Sequence, residues 1–454
     1  SVRALQAGTD MDMVSCGFLN TLEESLKEGK VTEEQINAAC RRVLEAKYKL
    51  GLFSDPYKYC DTLRVEKELY TTAHRAVARE IAAETFVLLK NEDHLLPLER
   101  KGKIALIGPM ADARNNMCGM WSMTCTPSCH GTLLEGIRSA AGDKAEILYA
   151  RGSNIYHDAE LEKGGAGIRP LERGNELQLL DEALHTAARA DVIVAALGEC
   201  AEMSGESASR TELGIPDAQQ DLLKALVKTG KPVVLLLFTG RPLVLNWEDA
   251  NVHSILNVWF GGSETGDAIA DVLFGKVTPG GKLTTTFPRS VGQLPLYYNH
   301  LNTGRPDPDS HSFNRYSSNY LDMSNEPLYP FGYGLSYTNF SYGNLQLSSD
   351  VLSRNGELTV SVTVTNDGDF DGYEIVQMYL HDIYAEISRP VKELKGFERI
   401  FLKKGESREV KFVITEDDLR FYNSGLQYVY EPGEFDVMVG ANSRDVQTER
   451  FRAD

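Results

Sequence analysis

The chain has 454 residues, of which 42% are hydrophobic and 25% charged, values typical of a globular protein with two or three domains. Its formal net charge of −18 at pH 7 disfavours binding to nucleic acid or to anionic membranes and suits a neutral substrate. No apolar run approaches the roughly 18 residues that a membrane-spanning helix needs, so no membrane partner is expected.

Residues 1–56 predict helices without a core of their own. Thr32 and Gln35 have the spacing of a capping box, and apolar residues then recur at helical spacing until Gly51. The apolar face of one or two helices cannot form a core alone. We therefore expect this face to pack on other sequence or on the next domain.

Residues 57–300 alternate between strand and helix patterns. The strand candidates are mostly continuous apolar runs, at Phe86–Leu89, Ile104–Ile107, Ala145–Tyr149, Val192–Leu197, Val233–Phe238 and Ile255–Trp259. Helices are predicted between them, at Leu133–Ala141, Leu177–Ala190, Ala218–Thr229 and Thr265–Phe274. Continuous apolar strands are expected where helices cover both faces of a sheet. This region is predicted to be a doubly wound α/β sandwich.

A linker and an all-β domain are predicted to follow. Residues 301–340 are rich in Asn, Ser, Pro, Gly and Tyr, which is typical of a linker. In residues 341–454 the apolar period changes to two, most clearly over Leu358–Thr365, and further strands fit Ile375–Leu380, Val410–Ile414 and Phe435–Gly440. Such strands, separated by turns, predict an immunoglobulin-like or fibronectin-like β-sandwich.

An acidic loop follows the strand that ends near Gly198. It holds four glutamates and a single cation, namely Glu199, Glu202, Glu206, Glu212 and Arg210. Ligands of open α/β sheets bind at the carboxyl ends of the strands. Carboxylates crowded there can differ in pKa, so that one stays protonated as an acid. A solvated loop without function is the alternative interpretation.

The cysteines predict no metal site. Three of the seven cluster at Cys118, Cys125 and Cys129, but His130 adjoins Cys129 and cannot easily share a metal with it. A disulfide within this cluster and free thiols both stay open. Gly275–Lys282 lacks the Lys and Ser/Thr placement of a phosphate loop, and no cofactor is expected.

Several segments are recognisable as an ordered set: Ala7–Met13, Arg42–Phe53, Leu88–Asn91, Ile269–Gly275, Tyr329–Tyr337 and Arg389–Phe397. Together they resemble glycoside hydrolase family 3, in particular its periplasmic β-glucosidases. The resemblance implies a (β/α)₈ barrel with the nucleophile, an α/β sandwich that lends the acid/base, and a fibronectin type III-like domain. Residues 1–56 would then be the C-terminal remnant of the barrel, residues 57–300 the α/β sandwich and residues 341–454 the last domain.

The resemblance assigns the acid/base to Glu206. The family motif is a Ser-Gly-Glu-like sequence followed by Arg, and Ser204-Gly-Glu206 with Arg210 matches it. A retaining glycosidase needs a carboxylic acid that protonates the leaving oxygen and then acts as a base toward water. Arg210 beside Glu206 would by itself keep the glutamate ionised, so apolar substrate or barrel surface must raise its pKa.

Further substrate-binding residues are implied at Trp121, Arg210 and Met13. In relatives, a tryptophan of the loop that holds Trp121 stacks on sugar near the leaving-group subsite, with core packing as the alternative. Met13 would form part of the pocket floor, with barrel packing as the alternative. Trp247 and Trp259 adjoin strand patterns and are interpreted as core residues.

The expected nucleophile is not found in the chain. In the family it is an Asp followed by Trp, whereas the tryptophans here are Trp121, Trp247 and Trp259, preceded by Met120, Asn246 and Val258. A polypeptide with only these residues is therefore not expected to hydrolyse glycosides alone.

The leading hypothesis is an exo-acting retaining β-glucosidase that releases terminal β-linked glucose from glucosides or oligosaccharides. Its expected partners are this substrate and a missing N-terminal barrel segment, and its implied location is periplasmic or secreted. Alternatives are a related β-xylosidase or broader exo-glycosidase, and a non-catalytic carbohydrate-binding fragment. Whether the protein is a homodimer stays open.

Overall fold

The computed structural model describes residues 1–122, 125–163, 171–306 and 314–454. The chain divides into two units, Ser1–His74 and Arg75–Asp454. None of the described helices has both the length and the apolarity needed to cross a lipid bilayer.

The first unit is helical. Its helices are α1 (Val2–Gln6), α2 (Gly17–Lys27), α3 (Glu33–Lys49) and α4 (Arg64–Glu68). The predicted capping box begins α3, because Thr32 Oγ1 accepts from the Gln35 amide while Gln35 Oε1 accepts from the Thr32 amide. Only a small cluster of apolar residues is buried within this unit, around Leu5, Val31 and Ala39.

The second unit begins within α5 (Thr72–Thr85) and contains a sheet that runs through an α/β sandwich. Six of the described strands form this sheet: β1 (Val87–Asn91), β2 (Lys103–Ile107), β3 (Glu146–Ala150), β4 (Val192–Gly198), β5 (Val233–Phe238) and β6 (Ser254–Asn257). Their order is β1-β6-β5-β4-β2-β3, and all neighbours are parallel except β1 and β6. Every strand predicted in this region is present.

Helices cover both faces of this sheet, as predicted. They are α6 (Leu133–Ala141), α7 (Ala159–Leu161), α8 (Glu176–Ala188), α9 (Asp217–Val227), α10 (Asn246–Asn251) and α11 (Thr265–Leu273). Side chains of α6 and α11 share one buried cluster with alternate residues of the strands. Side chains of α8 and α9 form a second buried cluster on the opposite face of the sheet, together with the other alternate residues of the strands. The prediction of a doubly wound domain is confirmed.

The C-terminal part is the predicted β-sandwich. Its elements are β7 (Phe340–Tyr342), β8 (Gln346–Leu347), β9 (Val351–Leu352), β10 (Leu358–Asn366), β11 (Gly372–Asp382), β12 (Glu393–Leu402), β13 (Ser407–Ile414), α12 (Glu416–Leu419), β14 (Phe421–Tyr422), β15 (Tyr428–Val429), β16 (Gly433–Gly440) and β17 (Val446–Ala453). One sheet has the order β13-β10-β7 with β8 beside β10, and the other has the order β12-β11-β16-β17-β9. Their inner faces form a common apolar core.

Part of the predicted linker packs on the α/β sheet. The Leu335 amide donates to the Leu88 carbonyl, and the buried Tyr337 hydroxyl donates to the Val272 carbonyl in α11. A buried ion pair of 3.1 Å between Lys282 Nζ and Glu374 Oε2 then joins the α/β region to β11. These contacts fix the α/β region and the β-sandwich within one unit, while the boundaries expected at residues 56, 300 and 340 stay predictions.

Candidate active site

Glycines end β2 and β4 where the chain leaves the sheet. Gly108 has a φ of +136° and Gly198 a φ of +130°, both outside the range that L side chains readily adopt. A Cβ on Gly108 would lie 2.1 Å from the Ala196 carbonyl oxygen, and one on Gly198 would lie 2.0 Å from the Phe238 carbonyl oxygen. Only glycine allows the loops after these strands to begin where they do.

We expect Gly198→Ala to lower the free energy of unfolding by about 3 kcal/mol, because it combines backbone strain with a clash against the Phe238 carbonyl. Urea denaturation measures the change. Gly214→Ala is the matched control, because a Cβ there meets nothing within 4 Å and its φ is not positive. Equal midpoints for the two variants would contradict this account of Gly198.

A buried carboxylate lies directly after β4. The Glu199 side chain is fully buried, and its Oε1 lies 2.7 Å from Arg210 Nη1 and 3.0 Å from Arg241 Nε. Its Oε2 accepts hydrogen bonds from the Thr239 hydroxyl at 2.9 Å and the Gly240 amide at 3.2 Å. Two guanidinium groups, a hydroxyl and an amide thus surround this carboxylate, as a buried charge requires. Glu199 is therefore a structural anion.

The same two arginines also bind the backbone of the acidic loop. Arg241 Nη2 donates to the Ala208 carbonyl at 2.8 Å and to the Met203 carbonyl. Arg210 Nη2 donates to the Gly214 carbonyl at 3.0 Å. The loop is thereby held on both sides of its tip, Gly205–Ser207, and we call Glu199, Arg210 and Arg241 the arginine clamp.

A second anchor comes from the loop after β2. Asn116 is buried, and its Oδ1 accepts a 2.6 Å hydrogen bond from the Ala201 amide. The loops that follow β2 and β4 are thus joined beside the clamp, at the carboxyl ends of these two parallel strands.

Glu206 lies at the exposed tip of this loop. The turn is tight, because Gly205 has a φ of +145° and Ser207 a φ of +59°. Among the residues that the structure describes, none forms a hydrogen bond or an ion pair with the Glu206 carboxylate. From the sequence, Arg210 is expected beside Glu206. In the structure Arg210 forms its ion pair with Glu199 instead. The tip therefore presents a carboxylate that the clamp leaves free.

Trp121 lies next to the same tip. A Cβ on Gly205 would lie 2.9 Å from Met120 Cγ and 3.8 Å from Trp121 Nε1, so the tip and these two side chains are neighbours. Trp121 is 71% exposed, which excludes the alternative of core packing. Trp247 and Trp259 instead pack against a buried cluster, as predicted. The structure thus places Trp121 beside the tip that carries Glu206, while a contact of Trp121 with sugar stays a prediction.

The remaining predicted site residues differ in their surroundings. The Arg210 side chain is only 11% exposed and is engaged by Glu199 and Gly214. Met13 belongs to the first unit and is 80% exposed. Their binding of substrate stays a prediction.

The loop that carries Trp121 is closed by a disulfide between Cys118 and Cys125, whose Cα atoms lie 6.5 Å apart. The sequence left open whether these cysteines form a disulfide or stay free. Cys118 and Cys125 form the disulfide, while Cys129 and Cys200 are free thiols. Sequence reasoning did not single out Thr239 and Arg241, which complete the surroundings of Glu199. Their position directly after an apolar strand was the available signal.

Comparison with known families identifies two regions. Residues 86–337 match the glycosyl hydrolase family 3 C-terminal domain. Residues 374–443 match a fibronectin type III-like domain.

Curated relatives are similar over nearly the whole chain. A periplasmic beta-glucosidase of Salmonella typhimurium is 46% identical, over 99% of this chain and 59% of its own length. A beta-xylosidase of Formosa agariphila is 38% identical, over 98% of this chain and 60% of its own length. The chain therefore spans about three fifths of these relatives.

Solved structures give the same result. A beta-glucosidase from Listeria innocua in complex with isofagomine superposes with a TM-score of 0.87 and 37% identity, over 100% of this chain and 60% of that one. The same enzyme in complex with glucose gives a TM-score of 0.86 and 37% identity, over 99% and 59% of the two chains. The fold expected for all regions beyond residue 74 agrees with these relatives.

Proposed function

The chain belongs to glycoside hydrolase family 3, and we propose that it is the part of an exo-acting, retaining β-glucosidase that carries the acid/base. The observation that carries this proposal is the tip of the acidic loop. There an exposed Glu206 lies beside an exposed Trp121, while the neighbouring arginines are occupied by Glu199.

Glu206 is proposed as the proton donor. In the first step its carboxylic acid gives a proton to the leaving oxygen of the glycoside, and in the second its carboxylate takes a proton from the attacking water. A free carboxylate suits both steps, because an ion pair would favour the charged form and oppose protonation.

Trp121 is proposed to stack on the apolar face of a sugar ring next to Glu206. An exposed indole held beside an acid is suited to this contact. Arg210 is proposed to serve the substrate site through its hold on the loop, since Glu199 and Gly214 occupy its guanidinium group. Met13 is also proposed to bind substrate.

The nucleophile is proposed to come from barrel residues outside these 454, because an Asp-Trp pair is missing from the sequence. Similarity to beta-glucosidases supports a terminal β-linked glucose as the substrate. Similarity to a beta-xylosidase makes a β-xyloside the second candidate. The periplasm is the proposed location, on the basis of the similarity to a periplasmic beta-glucosidase.

Assays of two proteins test this proposal. The full-length protein, meaning this chain together with the proposed N-terminal barrel, is expected to hydrolyse a chromogenic β-glucoside faster than the matching β-xyloside, and proton NMR of the first-formed sugar should show the β-anomer. The 454-residue chain alone is expected to give no turnover. Binding without turnover by the full-length protein would favour the non-catalytic alternative, and an α-anomer as first product would exclude the retaining mechanism.

A further inference from the structure

His130 faces both sulfurs of the Cys118–Cys125 disulfide. His130 is buried, with 3% of the residue exposed, and its Nε2 lies 3.7 Å from Cys118 Sγ and 3.5 Å from Cys125 Sγ. The ligand atoms of the three residues all lie within 4.8 Å of one another. The sequence argument against a metal site concerned the adjacent pair of Cys129 and His130, whereas the structure brings the more distant cysteines to the histidine.

The surroundings of Nδ1, the other ring nitrogen of His130, indicate which nitrogen carries the hydrogen. Nδ1 lies 3.3 Å from the Gly131 carbonyl oxygen, which can only accept a hydrogen bond. We therefore assign the hydrogen of the neutral ring to Nδ1 and the lone pair to Nε2. Sulfurs joined in a disulfide carry no hydrogen, so this buried lone pair points at atoms that cannot donate to it. In the disulfide form, neither of the two sulfurs that Nε2 faces can therefore donate a hydrogen bond to it.

We propose that Cys118, Cys125 and His130 bind a thiophilic divalent cation such as Zn²⁺ when the two cysteines are reduced. Two thiolates and one imidazole are ligands that zinc prefers, and a water molecule can take the fourth tetrahedral position. The contact of Nδ1 with the Gly131 carbonyl is the outer contact typical of metal-binding histidines, because it fixes the tautomer and orients the ring.

Disulfide and ion exclude each other. A dithiol reductant transfers two electrons and two protons to the disulfide, is itself oxidised to a cyclic disulfide, and leaves two thiols on the protein. Binding of one divalent cation then releases the two thiol protons, because zinc binds thiolates. In either state a cross-link closes the loop between residues 118 and 125, which includes Trp121.

The loop next to Glu206 would therefore stay closed both under oxidising conditions and under reducing conditions with zinc. A reduced loop without metal would lose this restraint and gain conformational freedom. The inference rests on the cysteine and histidine geometry alone and does not depend on the glycosidase proposal.

Metal titration tests the inference. The full-length protein is reduced with a phosphine, freed of reductant and metal without air, and titrated with Zn²⁺ against a chromogenic chelator. We expect one more bound ion per chain than in the oxidised protein. We also expect Cys118→Ser and His130→Ala to lose this additional ion, because each change removes one of the three protein ligands.

Co²⁺ provides a second measurement on the unmutated protein. Binding to Cys118 and Cys125 should give thiolate charge-transfer absorption and the visible bands of a tetrahedral ion. Cys60→Ser is the matched control, because Cys60 is an exposed free cysteine in the other unit, and it should leave both signals unchanged. Equal zinc stoichiometry before and after reduction, or the same Co²⁺ spectrum in Cys118→Ser, would overturn the proposal.

Discussion

Glu206→Gln in the full-length protein is expected to lower kcat for a β-glucoside with a poor leaving group by roughly 10²–10⁴-fold, the usual contribution of a general acid. Glutamine has nearly the same shape but cannot give up a proton to the leaving oxygen. Because Glu206 is exposed and forms no hydrogen bond or ion pair among the described residues, its replacement should leave the fold intact. The loss in kcat/KM should be much smaller for an activated aryl glucoside, whose leaving group departs without protonation in the first step.

Azide provides the decisive measurement for this variant. If Glu206 also acts as the base toward water, azide should restore cleavage of the activated substrate, because this anion attacks without needing a base. Glu202→Gln is the matched control, since Glu202 is an exposed carboxylate of the same loop. An unchanged kcat on the poor substrate in Glu206→Gln would remove this residue from the mechanism.

Glu199→Gln is expected to lower the free energy of unfolding by about 3–5 kcal/mol, the usual cost of removing one member of a buried ion pair. The Arg210 and Arg241 side chains are only 11% and 21% exposed, so both guanidinium groups would lose their anion in a poorly hydrated place. Urea denaturation followed by circular dichroism measures this change. We also expect a loss of activity, because the clamp holds the loop that carries Glu206.

Glu99→Gln serves as the control for Glu199→Gln. Glu99 forms an ion pair with Lys101 at the surface, where both side chains are largely exposed. Such a pair contributes less than about 1 kcal/mol, so this variant should unfold close to the wild type. Unfolding of Glu199→Gln at the same urea concentration as Glu99→Gln would show that the buried carboxylate does not stabilise the fold.

The core elements of the α/β domain could be predicted because burial is written into their composition. Strands such as Val233–Phe238 are apolar at every position, since helices pack on both sheet faces. The helix Leu133–Ala141 has the bounds that were predicted, and in the structure a Thr132 capping box marks its beginning.

Strands with few buried side chains could not be predicted in the same way. In β17 only Phe451 and Ala453 are buried, and the preceding residues are largely charged or polar. β12 likewise exposes most of its central residues. Both strands pair with their neighbours through backbone hydrogen bonds. Backbone pairing does not require apolar side chains, so the sequence of these strands shows no apolar alternation.

The roles within the acidic loop were predictable only in part. The sequence showed several glutamates after β4, and family resemblance alone singled out Glu206. Which carboxylate is buried depends on Thr239 and Arg241, which belong to the loop after the next strand. Local periodicity cannot reveal such a pairing, because it depends on how neighbouring strands are placed in the sheet.

The arginine clamp has a consequence for the adaptability of this fold. Arg241 binds the carbonyl groups of Met203 and Ala208, which every amino acid possesses, and does not bind the side chains between them. The side chains at positions 206 and 207 can therefore be replaced without loss of these hydrogen bonds. Evolution, or an engineer, can vary the side chain at the tip of this turn while the backbone bonds that anchor it are preserved.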